Sequence, residues 1–217
     1  RRNALISSTF NINSSVKNRH YRTFSDFYRT PKEEIVVYNT RLWNPITARN
    51  DDEKQKRELL NERRIEFVRA LKKEFGNRFT GGILDNSFSR SQCSKDLLLV
   101  NDTSYNQNKY QNMLRKAKVG VSVNGIHSTG WALAEYCAFG LGIVCDSLSV
   151  ELPGTFKKDI NYLEANSIKD LIEGCDKLLR NKNNFTNQSV AKNYQYYQTN
   201  VFPDGQVLHA LTLAMSS

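Results

Sequence analysis

The sequence predicts an α/β fold, a Rossmann-like, doubly wound parallel sheet with helices on both faces. Two observations carry this. Short β-branched apolar runs at 35–39, 119–123 and 142–145 alternate with segments of helical period. Polar, glycine-bearing turns join several strands to the helices that follow them, the punctuation of βαβ units. In an open parallel sheet, ligands sit beyond the carboxyl ends of the strands, so the turns leaving them become the candidate sites.

Taken in order, residues 1–32 are polar and Ser/Asn-rich with scattered aromatics, and read as an arm or interdomain segment containing a short strand at 4–10. Residues 33–217 read as the sheet domain with C-terminal closing helices. IVVYN at 35–39 is a buried-type strand, broken by Trp43-Asn44-Pro45. Asp51, Asp52 and Glu53 supply an acidic helix start, and Gly76-Asn77 closes that helix after Phe75. Its apolar stripe is Leu60, Phe67 or Val68, Leu71 and Phe75; its many charges read as a solvated face. Strands follow at 79–84 and 97–100 around a Ser-rich loop, then a helix at 105–117 and a strand at 119–123. A helix at 129–139, a strand at 142–145, a short strand at 162–165 and a helix at 168–179 complete the alternation. The tail, 189–214, reads as helical with a break at Pro203-Asp204-Gly205.

Composition sets bounds. The chain has 217 residues, 39% hydrophobic and 24% charged, ordinary for a globular protein. No apolar run reaches the roughly 18–20 residues that span a bilayer. The start, Arg1-Arg2-Asn3, has neither Met nor an apolar h-region, which points to an excised piece without a signal peptide. Cys93, Cys137, Cys145 and Cys175 lack C-x-x-C spacing and read as reduced thiols, the last three in core segments. A net charge of +9 admits nucleic acid, a membrane surface or phosphorylated ligands, but no dense basic run interleaves with aromatics. No His/Cys/carboxylate group has metal-ligand spacing, so no protein-bound metal is expected.

Three turns could carry chemistry: 40–49, 124–130 and 146–155. In the second, NGIHSTG, Ser128 or Thr129 can cap a helix whose free N–H groups face outward with partial positive charge. Gly130 permits close approach of a phosphate, and Glu135 follows where a carboxylate could accept from ribose hydroxyls. The same features would serve as plain βα punctuation. His127 sits at the rim, where it could act as acid/base or as a neutral donor. Arg41, just past a central strand, can grip a diphosphate bidentately; it could equally stack on Trp43 or pair with Asp51 or Asp52. Glu151, in ELPG, either belongs to a simple turn or brings a carboxylate into the cleft. Neither G-x-G-x-x-G after a strand nor G-x-x-x-x-G-K-[ST] occurs, which disfavours dinucleotide dehydrogenases and P-loop NTPases.

STGWALAEYCAFGLGIVCDS at 128–147 resembles the donor-binding half of GT-B glycosyltransferases related to the "glycosyl transferases group 1" families. Their motif, EGFGLxxLEAMAxGxPVI, aligns its second Glu with Glu135 and a glycine with Gly130, while its first Glu falls on His127, a departure. VVYNTRLWNP stands where such domains have a Gly-Arg turn, and YQNMLRKAKVGVSV where a helix and strand precede the motif. The likeness spans roughly 33–180.

The resemblance implies the C-terminal half of a GT-B fold. It also implies a UDP- or GDP-sugar donor as substrate, with no bound cofactor, and transfer to a glycan or lipid-linked acceptor without metal. Glu135 would bind the ribose; Asn124, Gly125, Ser128, Thr129 and Gly130 the diphosphate, with Arg41 assisting; and Val100 and Asn101 the base. His127 and Glu135 are the catalytic candidates, and Glu151 a further donor contact. It further implies an acceptor domain outside this chain, and a bacterial, cytoplasmic setting that the basic balance could bring to the anionic inner membrane face. The competing readings are a nucleic-acid-binding module on the basic surface, a sugar-nucleotide epimerase-like protein, and a GT-B-like fold without catalysis.

Overall fold

The computed structural model describes residues 28, 30–99, 107–125, 131–148, 150–152, 154–181 and 184–216. Five strands, β1 (Glu33–Thr40), β2 (Phe79–Ile83), β3 (Ala117–Ser122), β4 (Gly142–Cys145) and β5 (Tyr162–Glu164), form one sheet in the order β2-β1-β3-β4-β5. All four pairings are parallel, and Val36 lies opposite both Phe79 and Val119. The order doubles back between β1 and β3, so the topological switch point lies between their carboxyl ends.

The helices are α1 (Asp51–Phe75), α2 (Ser87–Gln92), α3 (Gln107–Lys116), α4 (Trp131–Phe139), α5 (Ile168–Arg180), α6 (Phe185–Tyr196) and α7 (Pro203–Ser216). They cover the sheet in two layers. One core joins Val36, Tyr38, Val119, Val121 and Val144 to Val68 and Leu71 of α1 and to Leu171 and Leu178 of α5. The other joins Val37, Ile143 and Cys145 to Leu114 of α3, Tyr136 and Phe139 of α4, and Tyr196 of α6. Alternate strand residues face opposite layers, which is why consecutive Val36 and Val37 are both fully buried. Gly120 allows the second layer to close: a Cβ there would lie 2.6 Å from the Tyr136 ring, so only a bare backbone admits it.

Helix ends follow local chemistry. The Asn50 side chain accepts from Glu53 N at 2.8 Å, and the acidic residues of the first turn complement the dipole of α1. Ser167 and Asp170 make a reciprocal capping box on α5, which ends at left-handed Asn181. Lys32 donates to the last carbonyls of α3, Leu114 O and Arg115 O, and so fixes the entry of the chain into β1. Tyr28 stacks on Tyr194 of α6 with ring centroids 4.2 Å apart.

Three sequence expectations need correction. The described part of the expected strand at 97–100, residues 97–99, forms no ladder: Lys95–Leu97 is a 3-10 turn, and Leu98 makes an isolated bridge to Ile83. The Ser-rich loop contains α2, capped by Asn86. In the tail, a π-helical turn at Tyr197–Val201 continues α6, Phe202 is extended, and Pro203 opens α7, so the break falls just before Pro203 and not across 203–205. Most charged residues of α1 are exposed, as expected of a solvated face, while Arg57 and Arg64 are buried. Cys137, Cys145 and Cys175 are free, buried thiols, and Cys93 is free and half-buried. Burial pushes the thiol pKa of each upward, as expected for packing groups. No described helix is long and apolar enough to cross a membrane.

Candidate functional site

The buried stripe of α1 changes character along its length. Near its C-terminus it is apolar, with Val68, Leu71 and Phe75. Continued backwards at helical spacing it becomes Arg64, Asn61 and Arg57, all buried. The change occurs where the helix passes the carboxyl end of the sheet and faces backbone turns in place of strand side chains.

Each polar residue of the stripe meets one of those turns. Arg57 donates to Asn44 O at 2.6 Å and Thr47 Oγ1 at 2.7 Å, and pairs with Glu53 at 2.6 Å. Asn61 accepts from Trp43 N at 2.8 Å and donates to Trp43 O at 2.7 Å. Arg64 donates to Arg41 O at 2.7 Å and to Asn124 O at 3.3 Å, joining the turns after β1 and β3. Its neighbour Arg63 donates to Asp146 at 2.7 Å and to Ala165 O at 2.9 Å, reaching the turns after β4 and β5.

The electrostatics are unbalanced towards positive charge. Arg57 is matched by Glu53 and Arg63 by Asp146. Among the described residues, neither Arg41 nor Arg64 has a carboxylate within ion-pair distance. Burial lowers the Arg64 pKa from its ordinary value, opposed by Tyr38 and the Asp146 carboxylate and reinforced by the charge of Arg41. Burial raises the Asp146 carboxyl pKa from its ordinary value, although Arg63 opposes the shift. Tyr38 is pushed up to about 12, chiefly by burial.

Several buried polar atoms around the switch point have no hydrogen bond of regular geometry. They are Tyr38 Oη, Asn39 Oδ1, Trp43 Nε1 and the Nε atoms of Arg63 and Arg64. Buried polar groups without partners are uncommon, and a cluster of them asks for a polar ligand or ordered solvent.

The sequence candidates fall into three groups. Arg41, Asn124 and Gly125 lie at the switch point. Arg41 is exposed, with its guanidinium 3.8 Å over the Trp43 ring; stacking, not pairing with Asp51 or Asp52, is the geometry adopted. Asn124 is largely committed: its N–H donates to Asp146 Oδ2 at 3.2 Å, its side chain donates to Ser147 O at 2.7 Å, and its carbonyl accepts from Arg64. Glu135 is half-buried on the second turn of α4 and accepts from Tyr110 Oη of α3 at 2.8 Å. Burial, with Tyr136 and Glu135 contributing, holds the Tyr110 phenol protonated well above its ordinary range, so it serves as a donor. Glu151 is exposed in the β4–β5 connection, and no bond among the described residues ties it to the switch point. His127, Ser128, Thr129, Gly130, Val100 and Asn101 lie outside the described residues.

Sequence reasoning missed Arg57, Asn61, Arg63, Arg64, Tyr110 and Asp146. The first, second and fourth could have been found by extending the stripe backwards from Val68 and noting that its polar positions keep the same spacing. Tyr110 and Asp146 gave no comparable signal, because their partners are distant in sequence. Beside Arg63, a groove of about 410 Å³ opens between α1 and the start of α5, with Leu59, Glu66, Phe67 and Ile168 in its walls. Among the described residues, no group of three His, Cys, Asp or Glu side chains could hold a metal ion.

These features define the class: a Rossmann-like α/β domain whose carboxyl-end crevice is lined with guanidinium groups. Three solved structures to which this chain is similar are the following. One is the C-terminal domain of the glycosyl transferase group 1 family protein LpcC from Francisella tularensis. It has a TM-score of 0.48 and 13% identity over 81% of this chain and 90% of that one. Another is S. aureus TarM, solved as a variant in complex with fondaparinux, α-GlcNAc-glycerol and UDP. Its TM-score is 0.49 and its identity 16%, over 88% of this chain and 38% of that one. A third is the pneumococcal O-GlcNAc transferase GtfA in complex with UDP and GlcNAc. Its TM-score is 0.43 and its identity 11%, over 87% of this chain and 37% of that one. The chain thus spans under two-fifths of the length of TarM and GtfA. No protein-family model matches the sequence, and no curated protein does.

Proposed function

We propose that this chain is the donor-binding half of a glycosyltransferase, taking a nucleotide-sugar diphosphate into the crevice between β1 and β3. The observation that carries this reading is the pair of arginines at the switch point, Arg41 at the rim and Arg64 beneath it, which no described carboxylate matches. A dianionic diphosphate supplies the missing charge, and its oxygens suit the planar fork of Arg41. Tyr110 and Glu135 then face the adjoining pentose, with the carboxylate accepting from ribose hydroxyls. The amides and hydroxyls of 126–130 belong to the same reading, with His127 at the reacting centre.

In the reaction, the bond between the sugar's anomeric carbon and the diphosphate oxygen breaks. The acceptor hydroxyl forms the new glycosidic bond and loses its proton. Charge gathering on the departing diphosphate is met by Arg41 and backbone N–H groups, stabilisation that needs no metal ion. The acceptor, a glycan or lipid-linked sugar, would be presented by a further domain, and the basic surface suits an anionic membrane face. The chain alone should bind the donor and transfer little.

Calorimetry against UDP-, GDP-, ADP- and CMP-sugars tests the proposal. One nucleotide class should bind and raise the melting temperature, and Arg41→Ala and Glu135→Ala should abolish the shift. Silence across the panel defeats the reading.

A further inference from the structure

We infer that Arg64 is a positioning residue, a buried clasp that sets the spacing of the two turns between which the donor diphosphate would lie. The inference rests on the donor-binding reading for its ligand but not for its mechanics. Arg64 is 6% exposed, and one guanidinium donates to Arg41 O and Asn124 O, carbonyls 83 residues apart in sequence. The strands these turns follow, β1 and β3, are sheet neighbours at the point where the winding reverses. Arg64, reaching up from α1, bonds to both turns.

Arginine suits this task for a geometric reason. Its five N–H donors lie in one plane at fixed separation, so two carbonyls bound by it are held at a fixed distance. A lysine ammonium is a single point and cannot hold both at once in the same way. Neighbouring residues extend the device: Asn61 locks Trp43, on which Arg41 stacks, and Arg57 locks Asn44. Arg41 is therefore fixed from two sides, its carbonyl by Arg64 and its guanidinium by a tryptophan that α1 itself holds. The buried Tyr38 hydroxyl also interacts with the Arg64 head from the sheet side.

The test uses the whole chain with Arg64→Met and Arg64→Lys, and Arg180→Gln as a surface control. Amide hydrogen exchange is the readout that needs no ligand. Arg64→Met should speed exchange of residues 41–47 and 123–125 together by at least about tenfold, leaving α5 and β4 unchanged. Arg64→Lys should loosen one turn more than the other, and Arg180→Gln neither. UDP and GDP titrated by calorimetry give the second readout: whichever binds wild type should bind Arg64→Met at least about tenfold more weakly, with Arg64→Lys between. Should Arg64→Met fail to fold, Arg64→Lys carries both comparisons.

Exchange unchanged in both turns, or raised in one alone by Arg64→Met, overturns the clasp whatever the nucleotides do. Coupled loosening with undiminished nucleotide affinity overturns its role in positioning. Coupled loosening in a wild-type protein that binds neither UDP nor GDP supports the clasp and counts against the donor reading instead.

Discussion

Replacing Asn61 by leucine isolates the polar stripe of α1, because the two side chains are close in volume and differ mainly in hydrogen bonding. Asn61 is 5% exposed and makes both of its bonds to the backbone of Trp43, at 2.8 and 2.7 Å. Leucine leaves that N–H and that carbonyl unpaired, each at about 2 kcal/mol, so about 4 kcal/mol is lost. Burying leucine in place of an amide returns about 1.5 kcal/mol, the low end of the range because its neighbours are polar. The net loss is about 2.5 kcal/mol, which for a chain of this size lowers Tm by about 5–10 °C.

Urea unfolding followed by tryptophan fluorescence measures it, with the slope checked against wild type so that the midpoint reports stability alone. A loss below about 0.5 kcal/mol for Asn61→Leu would refute the pairing.

Other expectations follow from single contacts. Tyr110→Phe removes the donor to Glu135 and should cost about 1.5 kcal/mol in urea unfolding, since the acceptor is a carboxyl group. It should also weaken nucleotide binding, if Glu135 recognises the pentose. Asp146 titrates above its ordinary value because it is buried, so its contribution is full below the unfolded pKa and fades as pH rises through the folded one. Between about pH 3.5 and 6 the urea midpoint of wild type should fall relative to that of Asp146→Asn as pH rises, the other carboxylates being common to both; parallel curves would rule it out. Gly120→Ala drives a methyl to within 2.6 Å of the Tyr136 ring, whose hydroxyl is tied to Val121 O at 2.9 Å. It should destabilise by about 1–3 kcal/mol by thermal or urea unfolding.

The sheet was legible because its strands are short, apolar and β-branched, and that signal is local. β1, β3 and β4 needed only residues 33–40, 117–122 and 142–145 to announce themselves. The errors lie where local chemistry was outweighed. Residues 97–100 have strand composition, yet among the described residues Leu98 and Leu99 pair only with Ile83, an isolated bridge and not a ladder. Pro203 reads as a breaker, but at the first position of α7 its missing N–H costs nothing and its fixed φ favours the helix.

The site was half legible for a deeper reason. Charge on a long helix is normally solvated, and by composition Arg57 and Arg64 are indistinguishable from exposed Lys54 or Lys72. What separates them is phase. They continue the stripe of Val68 and Leu71, so they are directed inward at a level where the sheet has ended. An inward cation on a core-facing stripe must find carbonyls, a carboxylate or a ligand, because burying an unpaired charge is too costly. Arg57 finds Glu53 and two oxygens of the 44–47 turn. Arg64 finds two carbonyls and no described carboxylate. The difference between these two residues, seven apart on one helix face, is in what meets the charge: Arg57 has an ion pair within its own helix, whereas Arg64 is held by turn carbonyls, with Tyr38 and the Asp146 carboxylate acting on it from nearby.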